Sequence, residues 1–484
     1  MLEALAHQQL KALLAAEGSP RWPHHLTLSR LVARSLRRGD HTLVRLTPGS
    51  DPSWWIGLLV PLALSEAPLA LVLDGEQRRR LLQVEAPRLR GAGLDLPCWQ
   101  GPDAPPGARV WLLSHQELLQ AWRAGQLGER QLVIPRAERL SDSLRQALAI
   151  TLEPADWERL RLAYPAAAAS VLALHQRLSQ RILCHPRQGG QPVAVGAEEE
   201  APLRQLLALL GPLPEPWSQW LEAGGADWTS WAEVDGSLLQ WRWIRQPLDP
   251  LQQLQGLLQG RGAVLAGELA DASGTGGTGG AACLGFQPQV SVELGDPPLQ
   301  DALPLYAPTG QPLPNHPHYG QHLLDQSRRL VLGQSRLTVV LLDDEGLRRP
   351  LASALAAEFG SRVREESLAP EENGVLCCRF SWWLEHQSRL PHPGQIVVAL
   401  LPIASLEDPL TAARVAQLRQ QGRDWFRELL LPEALNRLQL SLAGLRRQGG
   451  RLAVLDGRLR SRGWGHQVLR ALEPWVRLPR LLPD

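Results

Sequence analysis

A chain of 484 residues is too long for one ordinary hydrophobic core, so two or three domains are expected, and an apolar fraction of 44% supplies their interiors. Fifty basic residues against 49 acidic leave a net charge of +1, which excludes recruitment to nucleic acid by a global field and leaves only local patches. Five scattered cysteines with no C-x-x-C spacing exclude a disulfide framework or zinc ribbon, so no metal site is expected.

At the start, MLEALAHQQLKALLAAEG places Leu and Ala at helical spacing, but Glu3, His7 and Lys11 interrupt it as no secretory signal core would tolerate. No run of about 18 apolar residues follows. The expectation is a cytoplasmic protein without membrane partners. Short apolar runs bounded by Gly, Pro and Asp then read as strands: HTLVRL (41–46), PLALVLD (68–74), RVWLLS (109–114) and QLVIP (131–135). Between them SRLVARSLRR, WIGLLVPLAL and QELLQAWRAG repeat apolar residues at three and four, as helices do. Strands alternating with helices imply a parallel sheet covered on both faces.

From about Glu153 to Gln240 the pattern turns helical, with Trp217, Trp220, Trp228 and Trp231 gathered late; packing between helices is the plain reading of that cluster. Strand-like runs resume at 261–267, 337–343, 374–380, 395–402 and 451–457, predicting a second α/β sheet. The segment ASGTGGTGG (272–280) has the glycines of a phosphate loop but no Lys-Ser or Lys-Thr after it, and reads as a flexible connection. EQRRR (76–80) reads as a solvated helix face.

Short motifs give this order a family. TLVRL, then GSDPSWW, then IGLLVP stands where a strand, G-T-G-x-G-K-T and a helix would stand. SHQELLQAW resembles an Asn-His-x-x-Leu-Leu segment, with Ser114 for Asn and His115 retained. LVIPRAERL stands where V-I-D-E-A-H-R-L belongs, and AVLAGEL, with Ala266, Gly267 and Glu268, where T-S-A-T-L belongs. RFSWW resembles F-W-E-G-V, and LSLAGLRR aligns with Q-G-x-G-R-L-I-R, followed by Asp456, Arg458 and Gly465. From residue 22 to 465 this collinear series resembles the DinG/XPD branch of superfamily-two helicases.

The resemblance implies an α/β fold of two RecA-like parallel-sheet lobes with an intervening helical segment: a first lobe over 1–152, a helical insert over 153–250 and a second lobe over 251–484. It also implies ATP and Mg²⁺, yet the residues that would hold them are replaced. Trp54 falls at the phosphate-gripping lysine, its indole filling space a triphosphate needs, and Lys11 is the only lysine in the chain. Pro135 and Arg136 replace the metal-holding acids, Glu138 replaces the histidine, and Gly444 replaces the first arginine of the last motif. Only Cys98 lies where the family's four cluster cysteines would be, so no iron–sulfur cluster is expected.

What is left is a vestigial nucleotide cleft at Gly49, Ser50 and Arg447, with no catalytic residues and no bound cofactor expected. Nucleic-acid contacts are assigned to Arg379, Trp382, Trp383 and Arg446, arginines reaching phosphates and indoles stacking on bases; the plainer reading makes one indole of the pair core. Two readings of different class stay open. One is an ATP-independent protein that binds single-stranded DNA or acts as a scaffold for a protein partner; the alternative is an active ATP-dependent DNA helicase with divergent motifs. A purely structural subunit is a weaker third.

Overall fold

The computed structural model describes residues 2–18, 22–47, 50–186, 191–269, 287–295 and 302–479. The glycine-rich segment 272–280, Cys283 and Gly49 lie outside the described residues.

The first sheet is parallel throughout, in the order Val290–Leu294, His41–Leu46, Ala263–Glu268, Gln131–Pro135, Leu69–Val72, Val110–Leu113, Cys98–Trp99. Its inner strands Leu69–Val72 and Val110–Leu113 are continuous apolar runs because both faces are covered. Alternate residues go to opposite cores: Val44, Leu71 and Val133 face one cluster, Leu43, Ala70 and Leu132 the other.

A second parallel sheet runs Val363–Glu365, Val375–Cys378, Thr338–Leu341, Gln395–Val398, Arg451–Val454, Leu303–Tyr306, Trp475–Arg477. Here the same alternation sends the adjacent cysteines to opposite cores, Cys377 to one and Cys378 to the other. Burial pushes both thiols up, Cys377 to about 12. Neither is a thiolate at neutral pH, so the pair packs as small apolar side chains.

One strand changes sides relative to the sequence reading, and one that the sequence did not reveal joins it. Ala263–Glu268 lies between His41–Leu46 and Gln131–Pro135, and Val290–Leu294 extends the same first sheet. The second sheet takes its first strand only at Leu303, so residue 251 does not mark the change of lobe. A parallel sheet admits strands in any chain order, and pattern alone does not say which sheet an apolar run enters.

The insert is also more than helical. Strands Trp228–Asp235 and Gln240–Pro247 form an antiparallel hairpin, flanked by Ile150–Leu152 and Val193–Ala194. Helices cover it around Trp157, Trp217, Trp220 and Trp243, each no more than 1% exposed. Trp217 and Trp220 are therefore core, whereas Trp228 is only half-buried. Among the described residues no helix is long and apolar enough to cross a membrane.

Candidate nucleotide cleft and nucleic-acid interface

Beyond strand His41–Leu46, both the amide and the hydroxyl of Ser50 donate to the Thr47 carbonyl, at 3.0 and 2.8 Å. Ser50 is fully buried. Asp51 then caps the next turn by accepting from the Ser53 amide at 2.8 Å, with Pro52 at the first helical position. The carboxylate thus occupies the N-terminal end of the segment that continues into helix Trp55–Leu64.

Trp54 does not project into the cleft. It is 4% exposed and packs in the first-lobe core against Trp55, with ring centroids 5.7 Å apart. The expectation that its indole fills the space of a triphosphate is corrected by that burial: a side chain of this size is better placed among Leu and Val than beside solvent. Arg80 seals the turn, donating to the Pro52 carbonyl at 2.8 Å, lying 5.6 Å from the centre of the Trp55 ring and pairing with Glu85 at 2.9 Å. Arg78 pairs with Glu117 at 2.7 Å. Of the three arginines in EQRRR only Arg79 is exposed, so the solvated-face reading holds for one residue in three.

At the end of strand Gln131–Pro135 the backbone of Arg136 enters the left-handed region, at φ 65°. A non-glycine residue there is strained, and such strain persists where surrounding contacts fix it. Those contacts are carboxylates: the guanidinium lies 3.4 Å from Asp74, 3.8 Å from Glu76 and 3.4 Å from Glu138. Burial opposes the Arg136 charge, but Glu138, Asp74 and Glu76 together raise its pKa. Glu138 itself is raised by burial, which Arg136 offsets only in part across a long contact. Its second oxygen accepts the Glu268 amide at 3.1 Å. Gly267 makes that approach feasible, because a Cβ there would stand 2.6 Å from the Ala137 nitrogen. His115 is half-buried nearby, and burial lowers it to about 4.

The second lobe reaches this region through Arg447, near the end of helix Leu431–Gln448, whose Nη1 donates to the Ser50 carbonyl at 2.7 Å. Ser50 and Arg447 are thus in direct contact. Arg446 faces the other way, donating to the Leu472 carbonyl inside its own lobe, with burial lowering its pKa. It is withdrawn from the interface that the sequence assigned to it. The end of the last motif is architectural: buried Asp456 accepts from the Leu401 and Arg458 amides, both at 2.9 Å, and pairs with the Arg458 side chain at 2.7 Å. A Cβ at Gly465 would overlap the Leu459 carbonyl, which requires glycine there.

Among the interface candidates, Arg379 is half-exposed and held by Glu366 through two contacts of 2.7 and 2.9 Å. Glu366 is the second non-glycine residue at positive φ beside a charged cluster, at 44°. Arg379 holds its carboxyl below the usual carboxylate range. These two residues line a cleft of about 400 Å³ with Glu345, Arg348, Arg349 and Glu365. Trp382 is half-buried and stacks on His386 at 4.5 Å. Trp383 is 2% exposed and donates from Nε1 to the Ser441 carbonyl at 2.9 Å. It is a core residue of the second lobe, and no base can reach its face.

Asp51, Glu76 and Glu366 were not among the residues the motifs pointed to, although Asp51-Pro52 carries a recognisable cap signal. Glu366 carried none, since its partner is 13 residues away in the chain. Among the described residues no group of three or more His, Cys, Asp or Glu could hold a metal ion.

No protein-family model matches the chain. In part it is similar to the ATP-dependent DNA helicase YoaA of Escherichia coli, 26% identical over 176 residues, which are 34% of this chain and 28% of that protein. It is likewise similar to YoaA of Haemophilus influenzae, 29% identical over 125 residues, 25% of this chain and 20% of that protein. The matched stretches thus span less than a third of either relative's length. Among solved structures, Xpd4 of S. tokodaii superposes with a TM-score of 0.61 at 12% identity, over 92% of this chain and 97% of that one. An apo XPD structure gives 0.61 and 12%, over 94% and 100%. The chain thus shares the two-lobed fold of the XPD structures and is similar, over part of its length, to the DNA helicase YoaA.

Proposed function

We propose that this chain is a helicase-derived protein that does not hydrolyse ATP and that acts as an ATP-independent binder of single-stranded nucleic acid. The observation that carries the first part is Arg136, a permanent cation seated among Asp74, Glu76 and Glu138 where the family resemblance puts metal-holding acids. A guanidinium has no lone pair to offer a metal, and its charge repels one. The carboxylate of Asp51 at the turn disfavours a triphosphate, and the sole lysine, Lys11, lies on the exposed face of helix Leu2–Glu17. The residues present do not fit Mg²⁺-ATP.

Support for nucleic acid comes from relatives that are named DNA helicases; the second-lobe cleft offers Arg348, Arg349 and Arg379, each paired with a glutamate of its own lining, Glu365, Glu345 and Glu366. A protein-scaffold reading is favoured by a different observation: Arg379, Arg446 and Arg447 are each already held by an acceptor of the chain itself. The test is ATP turnover by the full chain with and without single-stranded DNA. No turnover above buffer is expected; turnover stimulated by DNA would overturn the proposal in favour of an active helicase.

A further inference from the structure

The geometry points to a nucleotide-independent clasp that holds the two lobes closed with groups of the chain alone. Two contacts make it. In the first, Arg447 of helix Leu431–Gln448 donates to the Ser50 carbonyl at 2.7 Å, across 397 residues of chain. In the second, Ser388 of the second lobe donates from Oγ to Glu76 at the start of helix Gly75–Arg80 in the first.

Each contact is braced from behind on the first-lobe side. Ser50 is fixed because its amide and hydroxyl both close on Thr47, which aims its carbonyl outward. Glu76 has Arg136 3.8 Å away, itself anchored on Asp74 and Glu138. Asp74 in turn accepts from the Gln77 amide at 2.8 Å and Gln77 returns a contact to the Asp74 amide at 3.1 Å, which sets the helix that presents Glu76. The acceptors are therefore pre-positioned, and closure orders little beyond the Arg447 and Ser388 side chains.

Two tethered contacts reinforce one another, because making one raises the local concentration of partners for the other. On the insert side, helix Pro409–Gln420 packs on strand Trp228–Asp235, and Arg145 of the first lobe lies within electrostatic reach of the Arg414–Glu433 pair, itself 2.7 Å long. An anion entering the cleft would have to displace the Ser50 carbonyl from Arg447 while facing Asp51. A ligand shifts an equilibrium only by its differential affinity for the two states, and here the closed state already satisfies the arginine.

The experiment is pulsed dipolar spectroscopy on the full chain, with nitroxides at exposed Arg123 of the first lobe and exposed Ala357 of the second. The wild-type background should give one narrow distance, unchanged by Mg²⁺-ATP or by a non-hydrolysable analogue. The double variant Arg447→Ala, Ser388→Ala removes both donors at exposed positions and should broaden the distribution to longer distances, with circular dichroism unchanged. A broad wild-type distribution that narrows with nucleotide would overturn the clasp, as would a folded double variant that keeps the narrow distance. ATP turnover with an unchanged narrow distance would instead sink the non-hydrolysing reading and leave the clasp standing.

Discussion

Restoring a lysine at position 54 should damage the protein rather than revive it. Trp54 is 4% exposed and shares the first-lobe core with Trp55, Ile56 and Leu58. A buried indole withdraws on the order of 200 Å² from water, worth about 5 kcal/mol at the usual area coefficient. In Trp54→Lys the aliphatic stem recovers part of this, but the ammonium must either lose its hydration or pull the turn open. A net loss of about 3–5 kcal/mol is expected, a large share of the stability of any one domain. Trp54→Phe keeps an aromatic ring in the cavity and should lose clearly less. Denaturant unfolding followed by fluorescence and circular dichroism measures both variants, and calorimetry with Mg²⁺-ATP checks for gained binding. If Trp54→Lys unfolds at the wild-type midpoint and binds ATP, the indole faces the cleft and the reasoning is refuted.

Buried His25, 2% exposed, is held by burial at about 4 against an ordinary 6.5. The unfolded chain takes up this proton as pH falls below 6.5 and the folded one only near 4, so the stability is complete above that window and is lost on acidification through it. About 2 kcal/mol of first-lobe stability should go between roughly pH 7 and pH 5, and His25→Gln should flatten that slope in denaturant titrations. Glu366→Gln should release Arg379 and strengthen single-strand binding in fluorescence anisotropy, with the log–log salt slope steeper by up to ~0.7 per added phosphate contact. Unchanged affinity would place the binding surface elsewhere. Trp383→Ala should lower stability by about 3–5 kcal/mol and leave the salt slope as it was.

The inner strands were legible because covering both faces of a parallel sheet demands unbroken apolar runs, and LALV and VWLL stand where the sequence put them. Sheet membership was not, since Ala263–Glu268 would look the same in either lobe. The hairpin of the insert hid behind tryptophans and arginines that alternate in QWRWIRQP yet sit beside helical segments rich in the same residues. Motif order put Ser50 and Arg447 in one region, and the structure brings them to 2.7 Å. Direction was the illegible part: Arg446 and Arg447 are neighbours in sequence, but successive helix residues point about 100° apart, so one enters the cleft and the other caps Leu472. Trp382 and Trp383 divide in the same way, one half-buried on His386 and the other in the core.

Arg136 among three carboxylates, with Asp51 close to Ser50, leaves the proposed cleft unsuited to Mg²⁺-ATP. Isothermal titration of the full chain with Mg²⁺-ATP tests this most directly. The account predicts no heat beyond dilution up to about 1 mM nucleotide, an affinity weaker than about −4 kcal/mol. A saturating isotherm with a dissociation constant in the micromolar range would contradict it.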